Sequence, residues 1–244
     1  MLKLKVWSEF ACFTRPENKV ERVSYDVMTP SAARGVLEAI FWKPEFQWQV
    51  REIHVLKEVK RHSILRNEVN TLASAKAAQK WAKDGGGFDA EGDRAQRNAL
   101  ILRDVAYVIC ADIVLRPHTT DPLIKYTEMF QRRVEKGQAF HQPYLGTREF
   151  TAFFSPPEES DRPANIVRQL GGEYAERAGE LDLGPMLFDL RFQEVKKGRV
   201  KYRAHGTEGP RWVQGNAQPV FFDAKLRDKG ILHVPAELYG GGGA

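Results

Sequence analysis

Leu100-Ile101-Leu102-Arg103-Asp104-Val105-Ala106-Tyr107-Val108-Ile109-Cys110-Ala111-Asp112-Ile113-Val114-Leu115 contains the most apolar part of the chain, Val105 to Leu115, broken by Asp112. Val105, Tyr107, Ile109, Ala111 and Ile113 fall at every second position and so share one face of a strand. Upstream, Phe46 to Leu56 has strand character and Lys57 to Val69 continues as a charged ribbon, a pair expected to form a hairpin. Between them and the apolar strand, residues 70–99 hold an Ala/Lys segment and Gly85-Gly86-Gly87, an inserted excursion from the sheet. At the start, Leu2, Leu4 and Val6 alternate with Lys3, Lys5 and Trp7 in a strand ending near Glu9. Phe10 to Thr29 is too polar and aperiodic for a core element and is expected as a long ordered loop.

Two helices separate these strands. Thr29-Pro30-Ser31 supplies cap and first turn, Ala32, Val36, Ala39 and Ile40 recur at helical spacing up to Trp42, and Lys43-Pro44 is the stop. Asp121-Pro122 opens the second, with Leu123, Tyr126, Phe130 and Val134 at helical spacing and Gly137 as its close, and Thr147 to Phe154 is the strand after it. The order strand, helix, strand, strand, helix, strand is the split βαβ or ferredoxin-like pattern of an α+β fold, assigned to residues 1–155. From Pro157 to Asp182 seven acidic residues stand against three arginines, so 156–183 is expected as an acidic linker. Met186 to Phe192, Val200 to Ala204 and Pro219 to Leu226, with turn signals at Lys197-Gly198 and Lys229-Gly230, predict a small antiparallel sheet domain over 184–239. The glycines from 240 predict a disordered tail, 240–244.

The 244 residues carry 37 Lys and Arg against 32 Asp and Glu, a net charge of +5, and 42% are hydrophobic, which excludes collagen-like, coiled-coil and largely disordered chains. Cys12 and Cys110 are too few for a disulfide framework or a four-cysteine zinc site. No signal peptide and no apolar span of about 20 residues is present, so a cytoplasmic protein without a membrane partner is expected.

Walker A, GxGxxG, HExxH and GxSxG are absent, and the six histidines form no helical i, i+4 pair. His54 and His62 can meet across the expected hairpin, but two polar residues on a solvated ribbon outweigh a metal site, and no metal or cofactor is expected. Three basic clusters remain: Arg15, Lys19 and Arg22; Lys57, Lys60, Arg61, His62 and Arg66; and Lys125, Arg132, Arg133, Lys136 and Arg148. Glu128 and Glu135 beside the third give it the look of a solvated helix face. Phe13, Tyr25, Phe41, Trp42, Phe140 and Tyr144 adjoin these clusters as core residues or base-stacking surfaces.

The strings Ala11-Cys12-Phe13-Thr14-Arg15-Pro16-Glu17-Asn18-Lys19-Val20-Glu21-Arg22-Val23-Ser24-Tyr25, Thr29-Pro30-Ser31-Ala32-Ala33-Arg34-Gly35, Trp42-Lys43-Pro44, Arg66-Asn67-Glu68, Gln96-Arg97, Tyr144-Leu145-Gly146-Thr147-Arg148-Glu149-Phe150 and Asp182-Leu183-Gly184-Pro185-Met186-Leu187 together resemble CRISPR-associated Cas family five of subtype I-C. The resemblance implies a ferredoxin-like, RNA-recognition-motif-like N-terminal domain and a small C-terminal sheet domain. It implies a metal-independent endoribonuclease that cuts precursor CRISPR RNA at the repeat hairpin and stays on the crRNA 5′ handle in the Cascade complex. Its partners there are subunits of Cas families seven and eight, and the isolated chain is expected as a monomer.

Metal-free RNA cleavage uses the 2′-hydroxyl as nucleophile and leaves a cyclic phosphate and a 5′-hydroxyl. It needs proton transfer on both sides of the phosphorus and a cation beside it. In the family a Tyr at the end of the first helix and a Lys-His pair at the start of the second fill these roles; the matching positions here are Phe41 and Lys125-Tyr126. Lys125 keeps the cation, Phe41 has no proton to transfer, and a phenol titrating near 10 replaces an imidazole. Three readings stay open: Lys125 and Tyr126 suffice, a nearby histidine such as His141 or His118 has taken over, or the chain binds RNA uncut. Arg15, Lys19, Arg22 and Arg34 are expected on phosphates, with Lys43, Arg66, Arg132, Arg133 and Arg148 as further RNA contacts. DNA cleavage as a side activity is neither supported nor excluded.

Overall fold

The computed structural model describes residues 1–72, 74–177, 179–206 and 208–240. In chain order these form β1 (Leu2–Ala11), β2 (Arg22–Val23), α1 (Pro30–Ile40), β3 (Phe46–Val55), β4 (Arg61–Val69), α2 (Ala75–Asp84), β5 (Arg94–Leu115), α3 (Leu123–Glu135), β6 (Phe153–Ser155), α4 (Ile166–Leu170), β7 (Ala175–Arg177), β8 (Glu180–Glu194), β9 (Val200–Gly206), β10 (Gly209–Arg227), β11 (Ile231–His233) and α5 (Glu237–Gly240). The result is a mixed α/β fold dominated by an antiparallel sheet. Its strands run β6-β1-β5-β3-β11-β10-β8-β7, with β2 and β4 added on β5 and β9 on β10. No helix among the described residues is long and apolar enough to cross a membrane.

β5 is the longest strand, 22 residues, and starts at Arg94, six positions before Leu100. One of its edges takes β3 against 107–115 and β4 against 94–102. The hairpin expected between 46–56 and 57–69 is therefore corrected: both segments pair with β5, end to end, and not with each other. The reason lies at Asp104, which adopts a left-handed backbone (φ 56°) between the two pairing zones. Lys57 and Lys60, from the β3–β4 connection, both bond its carboxylate. Beyond this joint β4 and residues 94–102 of β5 stay paired, with β2 on the other edge at 99–100, so the excursion expected at 70–99 is cut down to α2 and its flanking turns between β4 and β5.

α1 and α3 cover one face of the sheet. Thr29 caps α1 through Ala32 N–H, as its sequence predicts, and Ala33, Val36, Leu37 and Ile40 turn inward. Trp48 on β3 is the meeting point: buried, it packs on Phe130 of α3 at 4.8 Å and donates from Nε1 to the Phe41 carbonyl at the end of α1. Gly137 closes α3 with φ 60°, as expected of a helix terminator. The strand expected over Thr147–Phe154 is shorter than the sequence implies. Only 153–155 pair with β1, because 144–150 folds back instead onto Cys12 and Phe13.

The stretch expected to link two domains, 156–183, is structured. Ile166, Val167 and Leu170 of α4 are buried, and Asp26, Arg61, Glu173 and Tyr174 form one network across it. β11 pairs with both β3 and β10, so the sheet is continuous from end to end. Of the tail 240–244, Gly240 ends α5 and 241–244 lie outside the described residues.

Gly146 lets the 144–150 segment sit down. Its φ is 86°, and a Cβ there would stand 1.9 Å from the Cys12 carbonyl oxygen. Gly146→Ala should lower stability by at least about 1–3 kcal/mol in urea unfolding. Gly137→Ala, also at positive φ but with open space around it, should cost about 1 kcal/mol or less. Equal losses would contradict this packing.

Candidate functional site

Two ends of α1 gather the residues that the sequence singles out. At its N-terminus a cavity of about 340 Å³ is lined by Phe13, Thr14, Arg22, Thr29, Ser31 and Thr147, among others. With Leu187 the lining draws on four of the quoted strings, so the fold brings distant segments to one place. The cavity lies where the free N–H groups and positive dipole end of an 11-residue helix favour an anion. Arg22 Nε and the buried Thr147 Oγ1 have no hydrogen-bond partner among the described residues. Arg22 reaches Glu68 only at 3.9 Å, whereas Arg66 is held at 2.6 Å by Glu68 and at 3.1 Å by Glu149. Arg15 stacks its guanidinium on Tyr25 at 4.5 Å, and Lys19 and Arg148 are exposed.

At the C-terminal end of α1 an aromatic column forms. Phe41 and Tyr126 both pack on Phe46, each at 5.4 Å, and all three rings are buried. Phe41 thus fills the core and presents no ring to a base. Tyr126 sits in the first turn of α3 with its hydroxyl donating to Asp121, while the ammonium of Lys125, on the exposed side, bonds the same carboxylate at 2.7 Å. Burial, with Glu45 and Asp121 nearby, pushes the Tyr126 phenol up to about 12, and Lys125 holds Asp121 below the usual carboxylate range. Asp121, which the sequence marks only as a helix opener, is therefore part of the cluster; its i, i+4 spacing to Lys125 is the signal that could have found it.

His141 is tied to the same end of α1. Its backbone N–H and that of Phe140 both donate to the Ala39 carbonyl, two residues before Phe41, and its ring is exposed against Phe140 at 4.4 Å. Arg133 donates to the Ile40 carbonyl and lies 5.3 Å over the Phe41 ring, so it caps α1 and is not free for phosphate. Lys43 and Arg132 are exposed. Arg34 is also engaged internally: it forks onto Asp189 of β8 and onto Glu38. His118 lies elsewhere, stacked on His205 at 6.3 Å.

His54 and His62 do not meet. His62 stacks on Phe10, while His54 bonds Glu52 at 2.8 Å and lies 3.7 Å from the Cys110 sulfur. Glu52, His54 and Cys110 offer three ligand-type atoms within 4.8 Å of one another. Burial and then Glu52 push the Cys110 thiol up to about 11, and the His54–Glu52 bond uses the other two groups.

Known proteins share this sequence along nearly its whole length. A protein of Thermus thermophilus named CRISPR pre-crRNA endoribonuclease Cas5d is 53% identical over 98% of this chain and 93% of its own length. One of the same name from Mannheimia succiniciproducens is 40% identical over 96% and 94%. A solved structure titled as a CRISPR-associated protein, 19% identical, superposes with a TM-score of 0.57 over 97% of this chain and 92% of the other, a likeness of fold alone. Residues 1–234 match the sequence model of the family described as CRISPR-associated protein (Cas_Cas5). The motif strings that converge at the α1 N-terminus, the match over residues 1–234 and the relatives at 53% and 40% identity agree: the chain belongs to the CRISPR-associated Cas5 family, subtype I-C.

Proposed function

We propose that this chain is a metal-independent pre-crRNA endoribonuclease that cuts precursor CRISPR RNA at the repeat hairpin by 2′-hydroxyl attack. It then holds the 5′ handle in a type I-C Cascade complex beside subunits of Cas families seven and eight. The observation that carries the reading is the 53% identity, over nearly both full lengths, to a protein of that name. The neighbour order β6-β1-β5-β3 with α1 and α3 on one face supports a ferredoxin-like reading of residues 1–155, and the β8–β10 strands a second sheet region over 184–239. Two buried, unpaired cysteines suit the cytoplasm, where this complex would act as one subunit bound to RNA.

In this reading the cut occurs beside the exposed side chains of Lys125 and His141, with the hydroxyl of the buried Tyr126 sharing the Asp121 carboxylate with Lys125. Lys125 neutralises charge as the phosphorane forms, Asp121 fixing its ammonium beforehand. Tyr126, protonated up to about pH 12, can donate a hydrogen bond or a proton to the leaving 5′ oxygen but cannot take the 2′ proton near neutrality. The imidazole of His141 takes that proton. Arg22, Thr147 and the α1 N-terminus hold a backbone phosphate of the handle, with Arg15, Lys19 and Arg148 at the rim.

A second reading, a 5′-handle-binding Cascade subunit impaired in catalysis, is favoured by the buried, proton-less Phe41. The two separate on RNA cutting. Lys125→Ala should slow cleavage of repeat RNA by about 10²-fold while leaving its binding nearly intact; an unchanged rate removes Lys125 from the mechanism. Tyr126→Phe should lower the rate without moving the pH profile between about 6 and 9, because the phenol stays protonated throughout; a shifted limb would show that it titrates in that range. Arg22→Ala with Thr147→Val should weaken RNA binding and reduce the slope of log affinity against log salt by about 0.7. An unchanged slope would take the phosphate away from the α1 N-terminus.

A further inference from the structure

A second concavity, of about 700 Å³, opens on the other side of α1, between α1 and β3 on one wall and β8 and β9 on the other. Its lining includes Arg116 just past the end of β5, Arg191 on β8, and Tyr202, Arg203 and His205 on β9. The two acidic residues in the lining, Glu38 and Asp189, are both consumed by Arg34. Arg116, Arg191 and Arg203 make no ion pair among the described residues, so the cleft carries uncompensated positive charge.

Buried polar atoms point the same way. Arg116 Nε, His118 Nδ1 and His205 Nδ1 are each enclosed without a hydrogen-bond partner among the described residues, and the two imidazoles stack at 6.3 Å with their planes 14° apart. Unpaired buried polar groups are costly, and two of these three, on Arg116 and His205, belong to the lining of the cleft, where a ligand that accepts hydrogen bonds would satisfy them. Burial first, then the charges of Arg116, His118 and Arg203, push His205 down to about 4. Tyr202 packs at a tilt on Phe192 at 4.9 Å, and Arg203 lies 6.0 Å over the exposed Trp212 ring, giving the cleft aromatic surface beside its arginines. Aromatic surface beside guanidinium groups that no carboxylate holds is the combination that takes single-stranded nucleic acid.

The chain runs directly from the cleft to the residues assigned to cleavage. The Arg116 N–H and the Thr119 hydroxyl both donate to the Glu45 carbonyl. Glu45 directly precedes Phe46, the ring on which Phe41 and Tyr126 rest, and Asp121 stands five residues beyond Arg116. We propose that this cleft is a second RNA-binding site, which holds a single-stranded stretch flanking the cut with a phosphate on Arg116 and Arg203 and a base against Tyr202. The assignment rests on the endoribonuclease reading and extends it to residues that none of the sequence clusters contained.

The test is cross-linking and titration of the intact chain with its repeat RNA in EDTA, using 4-thiouridine placed singly along the strands beside the hairpin. One position should cross-link to the β9 peptide containing Tyr202. Arg203→Glu, at an exposed position that the fold tolerates, should abolish that cross-link and weaken binding about tenfold or more, and Arg116→Gln should do likewise. Arg191→Gln should have a smaller effect. A wild-type chain that binds repeat RNA no more tightly than Arg203→Glu, with cross-links elsewhere, overturns the cleft and leaves the endoribonuclease reading standing. RNA cut normally but with no Tyr202 cross-link at any position does the same, whereas a chain that binds no RNA overturns both.

Discussion

The structure depends on one strand. β5 pairs with β1, β2, β3 and β4 and carries the sheet's central core residues, among them the fully enclosed Tyr107 and Ile109. Its left-handed backbone at Asp104, held by two lysine ammonium groups, marks the point where pairing on one edge passes from β3 to β4. The end of β5 in turn places the segment leading to α3: Arg116 enters the cleft, Thr119 ties the chain back to Glu45, and Asp121 stands just before α3 beside the aromatic column. A shift of β5 by one residue would invert every side chain on it and move Asp121 and α3 relative to the cleft.

α1 organises function as β5 organises the fold. Its N-terminal end meets Arg22 and Thr147 in a small cavity, its C-terminal end meets α3 and His141, and its flank, through Arg34, is bolted to β8. The charge that makes the chain mildly basic is thus divided by role. Arg34, Arg66 and Arg133 hold the protein together, while Arg22, Lys125, Arg116 and Arg203 sit where the geometry leaves a guanidinium or ammonium facing outward or into a cavity.

Local signals were legible where the physics is local. The Thr29 cap, the Lys43-Pro44 stop and the Gly137 terminator all stand at the ends of real helices. The expected 46–69 hairpin failed because alternation reports which face of a strand is buried and not which strand it pairs with. The residues singled out for chemistry behaved in the same way. That Lys125 and Tyr126 stand in the first turn of α3 could be read from helical spacing. That Phe41 is entirely core, that Arg34 is an ion-pair partner and that Arg203 shares a cleft with Arg116 depend on contacts among α1, β3, β8 and β9, elements far apart in the chain, which no window of sequence contains.

Cutting of RNA by its own 2′-hydroxyl, with protein side chains alone as catalyst, is the step on which the functional assignment turns. The direct measurement is identification of the products after incubation of the purified chain with its repeat RNA in excess EDTA, alongside the same RNA carrying a single 2′-deoxy at the scissile position. Side-chain catalysis predicts a 2′,3′-cyclic phosphate and a 5′-hydroxyl from the ribose substrate, and a deoxy substrate bound but intact. Cleavage that disappears in EDTA, or a deoxy substrate cut at the same position, would contradict it.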